Sequence, residues 1–165
     1  MAHMKTAPAT ALAERTDGMP VSRQALCVVY AVIGVLALVG TWGNILGLVS
    51  QDGFVNGTIR FWQDTLVNAS SRFITADLLF LGLAVIVWMV LEARRLRIPG
   101  VWVYVVAGLL IAISLTVPLF MVQRERALAR LEGAAPGGTL GIADMVGIVL
   151  LGIVATTYAV VGMTR

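Results

Sequence analysis

Four long apolar stretches divide the chain: Ala25–Val49, Phe73–Leu91, Val101–Val122 and Leu140–Met163. A helix rises 1.5 Å per residue, so roughly 20 residues cross about 30 Å of hydrocarbon. None of the stretches alternates polar and apolar residues as a barrel strand does. In lipid, backbone polar groups must be satisfied within each segment, so the stretches are read as helices. The expected fold is an all-α integral membrane four-helix bundle.

Between the first two stretches the period changes. Ile59, Trp62, Leu66, Ala69 and Phe73 recur every three or four positions, with Arg60, Gln63, Asp64 and Asn68 between them. This predicts a short amphipathic segment at 58–73, lying on the membrane surface or over the mouth of the bundle. The remaining division follows: a polar, mobile tail at 1–22, a three-span core at 23–132, a Gly/Pro linker at 133–139, and a fourth transmembrane helix at 140–165. The opening Met1–Met4 is left out of the functional reading, and with it His3. The first stretch is longer than the core of a secretory signal, and "VSQDG" makes a poor cleavage site, so it is expected to stay.

Composition agrees with lipid as the solvent: 59% of residues are hydrophobic and 13% charged, with mean hydropathy +0.91, outside the usual range of a water-soluble domain. The formal net charge of +3, with arginines at both membrane faces, points to lipid headgroups and not to nucleic acid. One histidine and one cysteine, Cys27, leave no metal set except carboxylates and no disulfide within the chain; no cofactor is expected. Cys27 reads as a small buried hydrophobe.

With four crossings and the N-terminus inside, Lys5, Arg15, Arg23, Arg94, Arg95, Arg97 and Arg165 fall inside, and Arg60, Arg72, Arg124, Arg126 and Arg130 outside. Seven against five favours N-in and C-in only slightly. The same threading puts Tyr30, Trp88, Trp102, Tyr104 and Tyr158 at one face and Trp42, Phe54, Trp62, Phe73 and Phe120 at or near the other.

The candidate chemistry lies at the ends of the spans. Asp77 and Glu92 bracket the second one, 15 positions apart, which is about 22 Å along a helix and less than the hydrocarbon thickness. At least one of them is therefore drawn into the membrane zone. Glu92, with Arg94 and Arg95 beside it, reads as an interfacial anchor. Asp77 lies a turn inside Phe73, at the N-terminal end of its helix, and Asn68 is counted with it, Arg124, Glu125 and Asp144 in a candidate polar binding cluster. If the third span ends at the same face, Gln123, Arg124 and Glu125 arrive there, and Asp144 lies one turn into the fourth. Arg124 is then expected to pair with Asp77, Asp144 or both. Pro118 is expected to bend the third span and free the carbonyl of Ser114.

The run from Phe61 to Gly100 followed by "VPLFMVQRE" resembles an uncharacterised family of small bacterial integral membrane proteins, a domain of unknown function. The resemblance rests on Asn68, Phe73, Asp77-Leu78, Glu92 with Arg95, Pro118-Leu119-Phe120 and Arg124-Glu125, and covers roughly residues 25–128. It implies a protein of the bacterial inner membrane and carries no established activity.

Enzyme templates fail: the chain has no CxxC, HExxH, GxSxG or phosphate-cradling glycine loop. No ionisable group lies at mid-span, as a transporter usually requires, so transport would need an oligomer. Two readings remain. One is a lipid- or isoprenoid-binding or accessory protein, with membrane lipids, an apolar small molecule, a membrane protein or a second copy as partner. The other is a small membrane enzyme acting on an apolar substrate, with Asp77 or Asp144 as acid or base.

Overall fold

The computed structural model describes residues 19–132 and 141–164; the tail to residue 18 and the linker at 133–139 lie outside the described residues. Within them all regular structure is helical: α1 Val21–Asp64, α2 Ala69–Arg95, α3 Val101–Ala107, a π-helical turn Gly108–Ala112, α4 Ile113–Glu132 and α5 Ile142–Met163. Four helical stretches are long and apolar enough to cross a membrane: α1, α2, Val101–Leu131 and α5. Their large side chains point outward, with Phe80 74%, Leu110 73% and Leu151 71% exposed. Water would penalise such a surface and lipid covers it at no cost. The chain is a multi-pass membrane protein.

The amphipathic segment is present, but it starts earlier than its stripe predicts and is split. Gly53, at φ 79° and ψ 165°, breaks α1 into a long apolar arm and a short return arm. Only glycine takes that conformation without strain. The return arm folds tightly against the long one, since a Cβ on Gly57 would lie 3.0 Å from the Leu48 carbonyl oxygen. Arg60 Nη1 closes the corner on Asp52 Oδ2 at 2.9 Å. The arm ends at Asp64, and α2 starts afresh after Asn68, whose Oδ1 accepts the Ser71 N–H at 2.8 Å.

The third apolar stretch is not a straight rod. Tyr104 and Phe120 are 16 residues apart, about 24 Å along an unbroken helix, yet their ring centroids approach to 5.8 Å. A Cβ on Gly108 would come within 2.7 Å of Thr116 Oγ1, eight residues on. Both contacts require the chain to reverse across Gly108–Ile113, so α3 and α4 form an antiparallel hairpin. The turn exposes backbone, and the Trp42 indole N–H answers it by donating to the Ile111 carbonyl at 3.2 Å. Inside a bilayer, non-helical backbone is tolerated where protein groups satisfy it in this way. Pro118, expected to bend this stretch, sits within α4 just past the reversal, its ring against Gly34 of α1.

The contacts fix the remaining directions. α1 runs against α4: Arg23 meets Glu125, Cys27 meets the Val122 carbonyl, and Gly34 meets Leu115 and Pro118. α2 runs with α4, since Gly82 meets Ile113, Trp88 meets Phe120 and Glu92 meets Arg124. α5 runs with α1, because Gly40 faces Ala159 and Gly43 faces Met163. The best-packed core lies at the Arg23 end, around Phe120 (0% exposed) and Met89 (1%), with Ala93, Leu96, Ile98, Val101 and Leu128.

Candidate functional site

The hairpin changes which charges meet. Because α4 returns to the Arg23 end, Arg124 and Glu125 arrive beside the C-terminal end of α2 and the N-terminal end of α1. Arg95 forks onto Glu92, Nη2 to Oε1 at 2.7 Å and Nε to Oε2 at 2.8 Å. Arg124 Nε donates to the same Oε1 at 2.8 Å, and its Nη1 to Glu125 Oε1 at 2.9 Å. Arg23 Nη1 completes the row on Glu125 Oε2 at 2.8 Å. The row therefore runs Arg95, Glu92, Arg124, Glu125, Arg23 and ties three helices together.

Burial makes it matter. The Arg23 and Glu125 side chains are 4% and 5% exposed, so their attraction is screened far less than a surface pair's and each is costly to leave alone. Arg95 is 62% exposed and contributes little by comparison. Among the described residues, no buried side-chain nitrogen or oxygen lacks a hydrogen-bond partner. A network satisfied in this way fixes geometry and leaves neither carboxylate free for proton transfer.

The expected cluster of Asp77 with Arg124 and Asp144 does not form. Asp77 is exposed, on the side of α2 away from Gly82 and Met89, and about 22 Å along the helix from the Glu92 that holds Arg124. Asp144 instead accepts the Gly141 N–H at 2.9 Å, satisfying a free donor at the start of α5. Asn68 is the cap of α2 and no part of the network. Glu92 and Arg95 do pair as neighbours one turn apart, while Arg94 is exposed beside them. Phe120, assigned from the sequence to the far face, stacks edge-on against Trp88 and Tyr104, both with centroids 5.8 Å away. The positions of Arg124 and Phe120 share one physical cause: α4 ends at the face where α1 starts, not at the opposite one.

Sequence reasoning also missed Arg23 as a member of the network. The signal was available, since the start of a first span and the end of a second must share a face.

A second feature lies on the far side of α1. α5 touches α1 closely near one end only, where Gly40 meets Ala159 and Gly162 meets Asn44. Toward the Arg23 end the two helices leave a cleft of about 530 Å³ lined by Val28, Val32, Leu36, Met145, Val149 and Ile153 among others, with Thr156 and Thr157 its only hydroxyls.

The model of one protein family, described only as a protein of unknown function, matches residues 29–126. That span holds all of α2, α3 and the hairpin turn, with Glu92, Arg95, Arg124 and Glu125, and stops short of Arg23 and α5. No curated protein and no solved structure matches the chain.

Proposed function

The chain belongs to the family DUF2834, and from that premise, which brings no activity with it, we propose a non-catalytic protein of a bacterial inner membrane that holds an apolar chain. The occupant is a lipid or isoprenoid-like tail lying between α1 and α5. The cleft carries this reading: it is almost wholly apolar, lies within two helices long enough to span, and is of the size that small-molecule sites take. The ion-pair row serves as the clamp that keeps α1, α2 and α4 together while α5 stands apart. The separation of Asp77 from Asp144, and the use of Asp144 as a helix cap, argue against the catalytic alternative.

The charge distribution supports an orientation. With the hairpin turned back, Arg23, Arg94, Arg95, Arg97, Arg124, Arg126 and Arg130 lie toward one end, against Arg60 and Arg72 at the other. Such a bias favours the Arg23 end in the cytoplasm. On this reading the chain crosses three times, the α3–α4 hairpin enters and leaves on the cytoplasmic side, and α5 ends outside.

Native mass spectrometry of the gently extracted protein tests the occupant. A retained lipid-sized adduct that is lost in Val32→Trp/Val149→Trp, a pair that fills the cleft, is expected. An adduct unchanged by the filling, or a second protein chain in its place, would overturn the reading. For orientation, Thr164→Cys in a Cys27→Ser background is expected to react with an impermeant maleimide in intact cells; reaction only after permeabilisation would restore C-in.

A further inference from the structure

We propose that the protein carries a phosphate-class anion site, separate from the apolar cleft, between the α2–α3 loop and the C-terminal turns of α4. A cavity of about 210 Å³ lies there, bordered by Arg97 and Pro99 on the loop and by Gln123, Arg126 and Arg130 on α4. The volume is below that of drug-sized sites, which suits one small charged group.

The charges on its wall are of one sign. Arg126 and Arg130 stand one helical turn apart on the same face of α4, and Arg97 borders the same cavity from the loop. None of the three has an ion-pair partner among the described residues, whereas Glu92 and Glu125 are already engaged with Arg95, Arg124 and Arg23. Three arginines bordering one small space give it a positive potential that attracts an anion. Guanidinium forks match the oxygens of a phosphate.

The backbone of Arg97 is the independent observation. Its φ is 53°, a left-handed conformation that closes α2, with the Ile98 N–H reaching back to the Ala93 carbonyl at 2.8 Å. Helix ends of this form ordinarily carry glycine at that position. An arginine there holds a strained backbone, and such outliers cluster where a side chain is needed for binding. Here the strained residue is one that borders the cavity.

The full chain, purified in a neutral detergent, is titrated separately with short-chain phosphatidylglycerol, short-chain phosphatidylcholine and inorganic phosphate, and binding is read by native mass spectrometry and calorimetry. Arg126→Gln/Arg130→Gln is expected to weaken phosphatidylglycerol binding about tenfold or more, as loss of charge-assisted hydrogen bonds implies. Arg97→Gly, which relieves the backbone and so folds, is expected to weaken it in the same direction. Arg60→Gln, at the opposite end, is expected to leave it unchanged. Phosphatidylglycerol bound well above inorganic phosphate assigns the site to a lipid headgroup, and equal binding assigns it to a free phosphate; both uphold the site if they depend on the arginines. Binding that ignores Arg97, Arg126 and Arg130, or equals that of phosphatidylcholine, would overturn it, as would no binding of either anion.

Discussion

The two sides of α1 are built on opposite principles. Toward α2 and α4 it meets a dry core and a row of matched charges; toward α5 it meets a short small-residue seam and then an open apolar cleft. In lipid there is no hydrophobic penalty to drive helices together, so association depends on close packing and polar contacts. The first side has both, and the second has packing at one end only. The same helix is thus locked on one side and yielding on the other.

The largest test of this contrast is Glu125→Leu. It removes the buried Glu125 carboxylate from between Arg23 and Arg124, so thermal unfolding in detergent is expected to report a loss of about 3–5 kcal/mol. Arg23→Met in the same chain should return much of it, because the two changes share one interaction. A loss below about 1 kcal/mol would mean the row is hydrated and the two sides are held alike. Next comes Gly108→Ala, whose added methyl meets Thr116 Oγ1 at 2.7 Å; a cost of about 1–3 kcal/mol is expected, eased by Thr116→Ala.

Trp42→Phe removes the donor to Ile111 and is expected to cost about 1–3 kcal/mol, in the lower part of that range if lipid-phase water reaches the turn. Hydrogen exchange at residues near 112–116 should rise with it. Smallest is Asp77→Asn, which on an exposed face is expected to change stability by no more than about 0.5 kcal/mol. A drop of several kcal/mol would revive a polar centre at that end.

Much of the fold was readable beforehand. The apolar stretches, the amphipathic segment and the Glu92–Arg95 pair all follow from local periodicity and spacing, which act over a few residues, whereas Asn68, expected in a polar cluster, caps α2. The reversal at Gly108–Ile113 was not readable in this way. A run of mostly apolar residues 22 long, from Val101 to Val122, satisfies a length test whether it crosses or doubles back, and Gly108 is a weak mark of the turn beside Pro118, which suggests a bend farther on. The signal that existed was indirect: five arginines on the supposed outer face made the charge bias weak, and three of them belong to α4. Because α4 returns, Arg124 and Glu125 lie beside Glu92 and Arg23, at the end of α2 opposite Asp77.

The Trp42–Ile111 contact has a consequence for assembly. A chain emerges from the ribosome N-terminus first, so the indole is in the bilayer 69 residues ahead of the carbonyl it will receive. The hairpin tip, which would strand a bare peptide group in oil if it entered alone, finds its donor already waiting. On the proposed topology, insertion of the hairpin is templated by the first crossing, and a chain lacking that crossing should leave residues 101–132 outside the lipid or stretched across it.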